Sequence, residues 1–366
     1  MNKKLVTLAV AAALVAPAAA MADATLYGKM HVALDYIDVE NGYDGWDLNS
    51  YSSRLGVKGS EDLGNGLKAI YQIELDVPIS NRTGTVFDAD RGDSIRMRNS
   101  FVGLSSQWGT VLAGRHDTPF KISTGKLDLF GDTLADFANI VGFEDLRADS
   151  TIMYISPSFN GFQVAGAVIP TGGVTGRAYP QVVIDGFVFG NPAFPVLDVV
   201  NATGNPEADS INEGWSLGAI YNNGPLYASL AYESLSSEMM GAPGNNLEDY
   251  EKWRVGLGLL DWNGFTLSGV YENWSDYLGV PDADSDLWQI QAGYAFGNNM
   301  IKAAYGENDP DVSGVSIDAA KSWVVGFDHS FSKRTTAYVL YTDVDDDDGV
   351  LGGSYDAFSL GMIHSF

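Results

Sequence analysis

Cysteine is absent from all 366 residues of the chain, although the N terminus has the features of an export signal. Lys3 and Lys4 precede an apolar stretch at residues 5–15 that is too short to span a bilayer, and Ala20-Met21-Ala22 fits the small-x-small cleavage rule. We therefore predict a signal peptide at residues 1–22, with an N-terminal membrane anchor as the weaker alternative. Because small exported domains commonly rely on disulfides, this one needs another stabilising device, and a closed β-barrel is one such device.

Basic residues are also scarce, with 21 Lys and Arg against 47 Asp and Glu and a formal net charge of −26. This balance argues against nucleic acid as a partner, since binding it needs a basic face. The acidity is not a sign of disorder, because 45% of the residues are hydrophobic and 12% are aromatic. Composition alone leaves two classes open: a soluble β-protein and an outer-membrane barrel.

Long apolar runs and helical periodicity are lacking as well. No run of eighteen apolar residues follows the signal, so we expect no transmembrane helix. Apolar and polar residues instead alternate over stretches of about ten residues, which is typical of strands with one apolar face. In one stretch the apolar face carries Leu67, Ala69, Tyr71, Ile73, Leu75 and Val77, and the polar face carries Lys68, Gln72, Glu74 and Asp76. The same alternation places Trp288 and Ile290 opposite Gln289 and Gln291, and places Ile95, Met97 and Phe101 opposite Arg96, Arg98 and Ser100.

This alternation predicts about sixteen strands within a single domain, residues 23–366. The strands are predicted to begin near residues 24, 51, 67, 93, 109, 147, 162, 214, 225, 250, 265, 286, 299, 320, 335 and 355. Every second join is a tight turn, at residues 62–66, 107–108, 160–161, 222–224, 263–264, 297–298 and 332–334. The other joins are long, the longest running from about residue 171 to 212. A soluble sandwich has no reason to shorten every other loop, whereas an outer-membrane barrel does, so we predict an all-β fold: a closed antiparallel transmembrane barrel.

The end of the chain follows the same alternation. Phe358, Leu360, Met362, His364 and Phe366 share one face of the last predicted strand. We interpret the terminal aromatic as an assembly signal, and the alternative is an ordinary member of an interfacial aromatic belt.

Several segments resemble the general-diffusion porins of Gram-negative bacteria. They are residues 25–29 (TLYGK), 53–59 (SRLGVKG), 61–66 (EDLGNG), 98–104 (RNSFVGL), 109–115 (GTVLAGR), 117–120 (DTPF) and 126–132 (KLDLFGD). The resemblance spans the mature chain but is specific mainly over residues 24–160 and at the C-terminal Phe; residues 169–212 match nothing in it.

The resemblance implies a water-filled outer-membrane channel for passive diffusion of small hydrophilic solutes and ions. It also implies a sixteen-stranded homotrimer, in contact with outer-membrane lipid and lipopolysaccharide, whose third outer loop, here about residues 116–145, folds into the lumen. No cofactor is expected.

The charged residues near this loop are the candidate pore residues. The basic set lies on strands opposite the apolar faces or at the ends of the loop: Arg54, Lys58, Arg96, Arg98, Arg115 and Arg147. The acidic set lies in the loop: Asp128, Asp132, Asp136, Glu144 and Asp145. One hypothesis is a basic wall facing acidic loop residues across a narrow slot, giving a transverse field. The alternative is that the arginines only pair with the loop carboxylates and hold the loop in place. The acidic total predicts a vestibule that concentrates cations, whereas the basic wall residues would favour anions at the narrowest point. Of the two, we expect a preference for cations.

Rival functions are less well supported by the sequence. The four His residues, His31, His116, His329 and His364, fall in no nucleophile motif and show no metal-ligand spacing, which argues against an enzyme. The acidic run Asp343, Asp345, Asp346, Asp347 and Asp348 is interpreted as a solvated loop rather than a calcium site. A soluble binding sandwich and a substrate-specific channel of the same architecture, for small anions or organic acids, remain as alternatives.

Overall fold

The computed structural model describes residues 24–80, 95–170, 210–240 and 247–366 of the chain. The predicted signal peptide at residues 1–22 lies outside the described residues, as does most of the long join near residues 171–212. Within the described ranges, no helix has the length and apolar character needed to cross a membrane.

The described residues form one closed antiparallel sheet of sixteen strands. Each strand pairs with its neighbours in sequence, and the last strand pairs with the first. The strands are β1 Thr25–Val39, β2 Asp44–Ser50 continuing as Arg54–Gly64, β3 Leu67–Asp76, β4 Arg96–Met97 continuing as Ser100–Ser106, β5 Gly109–Asp117, β6 Arg147–Ile155, β7 Phe162–Ile169, β8 Gly214–Asn223, β9 Leu226–Leu235, β10 Tyr250–Trp262, β11 Phe265–Ser275, β12 Ala283–Phe296, β13 Asn299–Val312, β14 Ala320–Ser332, β15 Thr335–Asp345 and β16 Tyr355–Ser365. Closure leaves no sheet edge, so the backbone N–H and C=O groups of the strands are hydrogen-bonded to neighbouring strands. This ladder stabilises the barrel in the absence of disulfides.

Fifteen of the sixteen strands begin within three residues of the predicted positions, and the exception is β2. We predicted that β2 begins near residue 51, whereas it begins at Asp44. The strand is interrupted between Ser50 and Arg54, where Ser52 adopts a φ of 49°, and both halves pair with β1. The interruption breaks the alternation, so the sequence pattern reveals only the second half.

The predicted difference between the two rims of the barrel is confirmed. The tight turns lie together at one end, which we call the turn rim, and the long joins lie at the other end, the loop rim. In the turn between β2 and β3, Asn65 and Gly66 have φ values of 54° and 77°. These positive dihedrals are the reason that Asn-Gly pairs occur in tight hairpins.

Apolar side chains cover the outside of the barrel and polar ones the inside, as predicted. Ile95 is 64% exposed and Leu55 36% exposed on the outer surface, whereas Gln289 and Gln291 are buried inside the barrel. In a soluble protein so many exposed apolar side chains would favour aggregation, whereas in a membrane they face hydrocarbon.

Phe101 is a correction to the predicted faces. The pairing of β3 with β4 places Leu75 opposite Met97 but Gln72 opposite Phe101, so β4 contains one extra residue between these pairs. Such a bulge reverses the alternation, and Phe101 therefore lies on the inner face. There it packs against a small buried cluster that contains Leu112 and Met153.

A single long segment folds back into the barrel between β5 and β6. We call residues 118–146 the inserted loop; a hydrogen bond from the Thr118 amide to the Leu146 carbonyl, 3.1 Å long, closes its base. It contains two short helices, α1 Pro119–Thr124 and α2 Phe137–Ile140, which are capped by the side chains of Thr118 and Asp136. We predicted a loop folded into the lumen at about residues 116–145, and the inserted loop covers residues 118–146.

The inserted loop packs on the inner wall of β8–β13. Its buried large apolar side chains include Phe120, Leu127, Phe130, Phe137, Ile140 and Phe143. Polar contacts fix it at several heights, since the Leu129 amide donates to Gln291 on β12 at 2.7 Å and Asn308 on β13 donates to the Val141 carbonyl at 2.9 Å. The opposite wall, β1–β4, is therefore left as the open side of the lumen. Two more short helices lie at the loop rim, α3 Ser237–Met240 and a 3-10 turn at Tyr277–Gly279.

Candidate functional site: the constriction between the inserted loop and the basic wall

A cavity of about 450 Å³ lies against the inner wall of β1–β4. We call it the basic cavity because Lys29, Arg54 and Arg98 line it, from β1, β2 and β4 respectively. Its other lining residues are Tyr27, Gly28, Glu74, Asn99, Asp117, Ser365 and Phe366. Strand alternation explains why Lys29 and Arg54 face the cavity, because their neighbours Met30 and Leu55 face outward.

Asp132 reaches this basic wall from the inserted loop. Its carboxylate contacts Lys29 Nζ and lies 3.5 Å from an Arg54 guanidinium nitrogen. Burial disfavours ionisation of the Asp132 carboxyl, but the charges of Lys29 and Arg54 outweigh burial and hold its pKa well below its usual range. The predicted residues Arg54 and Asp132 are therefore brought together, and Lys29, which we missed, completes the group. Strand alternation on β1 could have identified Lys29, because it lies between the outward-facing Gly28 and Met30.

The other predicted basic residues of β2 and β4 also lie on the inner face. Arg98 Nε donates to Glu74 at 2.8 Å, and Tyr27 donates to the same carboxylate at 2.9 Å. The Lys58 ammonium lies 5.0 Å from the centre of the Tyr27 ring. Arg96 pairs in register with Asp76 of β3. The basic residues that we predicted for this wall thus lie together on its inner face, accompanied by the acidic residue Glu74, and their role in the constriction stays a prediction.

Arg147 and Arg115, predicted to flank the loop, lie in different surroundings. Arg147 Nε lies 2.8 Å from Asp117 and donates to Asn99 at 2.9 Å, so it closes the base of the inserted loop. Arg115 shares the outward face of β5 and binds Asp149 at 2.8 Å. The structure therefore does not place Arg115 in the lumen, because its side chain follows the outward alternation of Val111 and Ala113 along β5.

Two of the predicted loop acids are turned into the loop itself. Asp128 accepts hydrogen bonds from the Phe130 and Phe137 amides and from the Gln291 side chain. Asp136 caps α2 and accepts from the Asp132 amide at 2.7 Å. Burial raises the pKa of Asp128, and burial together with the nearby Asp128 carboxylate raises the pKa of Asp136 well above its usual range. These two acids therefore face away from the basic cavity.

The last two loop acids are bound by residues of β10 that our reading of the sequence missed. Arg254 is completely buried and donates to Asp145 at 2.7 Å and to Glu272 on β11. Glu144 accepts from the Tyr250 and Tyr277 hydroxyls at 2.8 and 2.9 Å, and Lys252 lies 4.0 Å away.

This second cluster anchors the inserted loop. Burial raises the pKa of Glu144, because the nearby Lys252 charge and the tyrosine hydrogen bonds only partly offset burial. The alternation of Tyr250, Lys252 and Arg254 along β10 is the sequence signal that could have found the cluster.

The C-terminal residue closes the barrel next to the basic cavity. The Phe366 amide donates to the Gly28 carbonyl and the Gly28 amide donates back to the Phe366 carbonyl, both at 3.0 Å. The Phe366 ring lies over Gly28, where an added Cβ atom would come within 2.4 Å of it. The proposed role of Phe366 as an assembly signal stays a prediction.

The acidic run before β16 is partly structural. Asp346 is buried and its carboxylate accepts hydrogen bonds from the amides of Val350, Leu351 and Gly353 at 2.6–2.9 Å. The interpretation of this run as a solvated loop is therefore wrong for Asp346. Among the described residues, no group of three or more acidic or His side chains could hold a metal ion.

An apolar exterior, a closed wall and a charged lumen narrowed by an inserted loop define a channel-forming membrane barrel. Comparison with known sequences agrees: a family model described as Gram-negative porin matches residues 7–349. The chain belongs to the Gram-negative porin family and forms an outer-membrane channel for passive diffusion of small hydrophilic solutes.

The individual relatives and solved structures that resemble the chain have low sequence identity to it. The chain is 26% identical to the major outer membrane protein P.IA of Neisseria meningitidis serogroup B (strain H44/76) and 26% identical to P.IB of Neisseria lactamica, with 100% of each chain covered. Among solved structures, the anion-selective porin from Comamonas acidovorans matches with a TM-score of 0.69 at 22% identity, covering 94% of this chain and 99% of that one. OmpF of Salmonella typhi, solved with daunomycin, matches with a TM-score of 0.67 at 17% identity, covering 94% and 97%.

Proposed function

We propose that solutes pass between the inserted loop and the inner wall of β1–β4, through the basic cavity. The observation that carries this proposal is the one-sided packing of the loop. Its apolar face is buried against β8–β13, so the space beside Lys29, Arg54 and Arg98 is the remaining route. Hydrated solutes need polar walls, and this side of the lumen offers charged and hydroxyl groups rather than hydrocarbon.

The absence of cysteine makes this route directly testable. An Arg54→Cys variant in a planar bilayer should lose conductance when a bulky, charged, membrane-impermeant thiol reagent is added. The matched control is Lys321→Cys, because Lys321 lies on the exposed outer face of β14. Unchanged conductance after complete labelling at position 54 would contradict the proposed route.

We further propose that three copies associate through β3–β6. The outer face of β1, β2 and β8–β16 carries a belt of aromatic side chains near the loop rim, with rings in contact along it. Its members are Tyr36, Trp46, Trp215, Tyr232, Trp253, Tyr271, Trp288, Tyr305, Trp323, Tyr341 and Phe358. Such belts lie at the membrane–water interface, so this part of the wall would face lipid and lipopolysaccharide.

The outer face of β3–β6 differs from this belt. The strands have at most ten residues each, and their outward positions at the corresponding height are Leu75, Met97, Arg115 and Asp149. An ion pair is costly against hydrocarbon but acceptable against a second protein surface. A heterologous contact of this kind between identical chains forms a trimeric ring when each copy is rotated by one third of a turn relative to the next.

The mass of the purified protein in detergent, measured by light scattering, tests this proposal. We expect a trimer for the natural chain. We expect dissociation for Arg115→Glu, because this substitution places a second carboxylate next to Asp149. Lys321→Glu makes the same charge change elsewhere on the outer face and should remain trimeric. A monomeric natural protein, or a trimeric Arg115→Glu, would overturn the proposed interface.

We infer that residues 1–22 direct export and are removed, and that the protein has no catalytic activity. N-terminal sequencing of the mature protein should begin at Asp23. Retention of Met1 would contradict the first inference, and hydrolysis of lipid or peptide by the pure protein would contradict the second.

A further inference from the structure

The inserted loop separates its acidic residues into two groups. Only Asp132 faces the basic cavity, where it contacts Lys29 and Arg54. Asp128 and Asp136 bind backbone amides of the loop, and the other two acids lie on the far side of the loop. The wall and the loop therefore do not carry equal and opposite charge.

The far group is already balanced by its own cations. Asp145 is 2.7 Å from Arg254, and Glu144 lies within 4.0 Å of Lys252. These contacts are buried, and paired charges create little field at a distance. Their influence on a solute in the basic cavity, on the other side of the loop, is therefore small.

On the solute side, basic residues outnumber acidic ones. The cations at or next to the basic cavity are Lys29, Arg54, Lys58, Arg98, Lys121 and Arg147, and the carboxylates that contact them there are Glu74, Asp117 and Asp132. Arg96 and Asp76 add one charge of each sign. The excess is positive, although the chain as a whole carries −26.

Part of the remaining negative charge lies outside the lumen. Near the loop rim, acidic residues occupy outward positions on consecutive strands, in register with one another. Examples are Asp38 with Asp44 and Asp356, and Asp286 with Asp309. These carboxylates are exposed to solvent on the far side of the barrel wall, where salt screens them within about 8 Å at physiological ionic strength.

We propose that the constriction selects small hydrophilic anions, inorganic ions and carboxylates, over cations. This inference rests on the proposed route through the basic cavity and replaces the preference for cations expected from composition. Low-dielectric walls concentrate the field of Lys29, Arg54 and Arg98 along the path, and guanidinium groups match carboxylates through their paired donors. Asp132 then acts as the counter-charge that prevents a permeating anion from being trapped.

The reversal potential of the natural protein in a KCl gradient tests the inference. We expect chloride to permeate about tenfold better than potassium, given an excess of positive charge within a few ångströms of the path. A pore that conducts but prefers potassium, or shows no preference, would overturn the inference while leaving the route intact. Absence of any conductance would instead overturn the proposed function.

Variants of single charges locate the effect. Arg54→Gln should reduce the preference for chloride, and Asp132→Asn should increase it, because each removes one charge beside the cavity. Lys321→Gln removes a positive charge from the outer face and should leave the permeability ratio unchanged. Equal shifts in Arg54→Gln and Lys321→Gln would show that total charge, rather than the basic cavity, decides selectivity, and would overturn the inference.

Discussion

Replacing Arg254 by methionine should release the inserted loop from the barrel wall. Arg254 is completely buried, donates to Asp145 at 2.7 Å, and has its guanidinium carbon 4.5 Å from the centre of the Phe120 ring. Methionine keeps the aliphatic part of the arginine side chain, so the change removes the guanidinium group and with it one buried charge next to Asp145 and Glu272. Removing one partner of a buried ion pair typically costs about 3–5 kcal/mol.

Most of this cost should appear as local opening of the loop rather than unfolding of the barrel, because the strand ladder does not depend on Arg254. Cleavage by trypsin at the exposed Lys126 reports such opening. A loss of about 3 kcal/mol predicts cleavage faster by about a hundredfold, when opening is rapid relative to cleavage.

The control is Arg334→Met, which makes the same exchange at an exposed position in a turn. Adding Glu272→Gln to Arg254→Met should recover part of the loss, because the second change removes one of the uncompensated carboxylates. If Arg254→Met and Arg334→Met were cleaved at the same rate, the buried cluster would not anchor the loop and the reasoning would be refuted.

Other substitutions test separate parts of the structure. Asp132→Asn should destabilise the closed position of the inserted loop by about 1 kcal/mol at neutral pH, because the partly exposed ion pair with Lys29 and Arg54 is lost. Since the pKa of Asp132 is lowered, the difference between the variant and the natural protein should disappear as the pH falls from the usual range of an aspartate towards the lowered value. The rate of loop cleavage by pepsin, which is active at low pH, measures this difference. The pKa of Asp136 is raised, so its stabilising effect is present at low pH and is lost as the pH rises through the raised value; Asp136→Asn should remove this pH dependence of loop cleavage, and an unaltered dependence would contradict the assignment. Gly28→Ala should destabilise the barrel by about 1–3 kcal/mol through its clash with the Phe366 ring, lowering the temperature at which the protein loses its heat-resistant gel mobility. Asp346→Ala should leave three amide donors unpaired at about 1–3 kcal/mol each and speed hydrogen exchange in the loop before β16, whereas unchanged exchange would show that water replaces the carboxylate.

The strand pattern could be predicted because each face of a barrel strand meets a different solvent. Leu55 and Trp288 face outward and Arg54 and Gln289 face inward, as simple alternation requires. The prediction failed at Phe101, where a bulge in β4 shifts the alternation by one residue. At Arg115 the alternation of β5 itself points outward, and we assigned this residue to the lumen only because it lies next to the inserted loop. A bulge changes backbone pairing without any distinctive residue type, so sequence alone does not reveal it.

The sequence also did not show which acidic side chains of the inserted loop face the basic cavity, and the reason is different. Asp132 and Asp136 are four residues apart and chemically identical, but one faces cations across the lumen and the other caps a helix. Their roles depend on how the apolar residues around Phe130 and Phe137 pack against a distant wall. Periodicity carries no information about such packing in an irregular loop.

The most direct test of the account is a crystal structure of the protein soaked in bromide. We predict anomalous density in the basic cavity, within contact of Lys29, Arg54 or Arg98, and none beside Arg254 behind the inserted loop. Density confined to the far side of the loop, with an unoccupied basic cavity, would contradict the proposed path and the charge separation on which it depends.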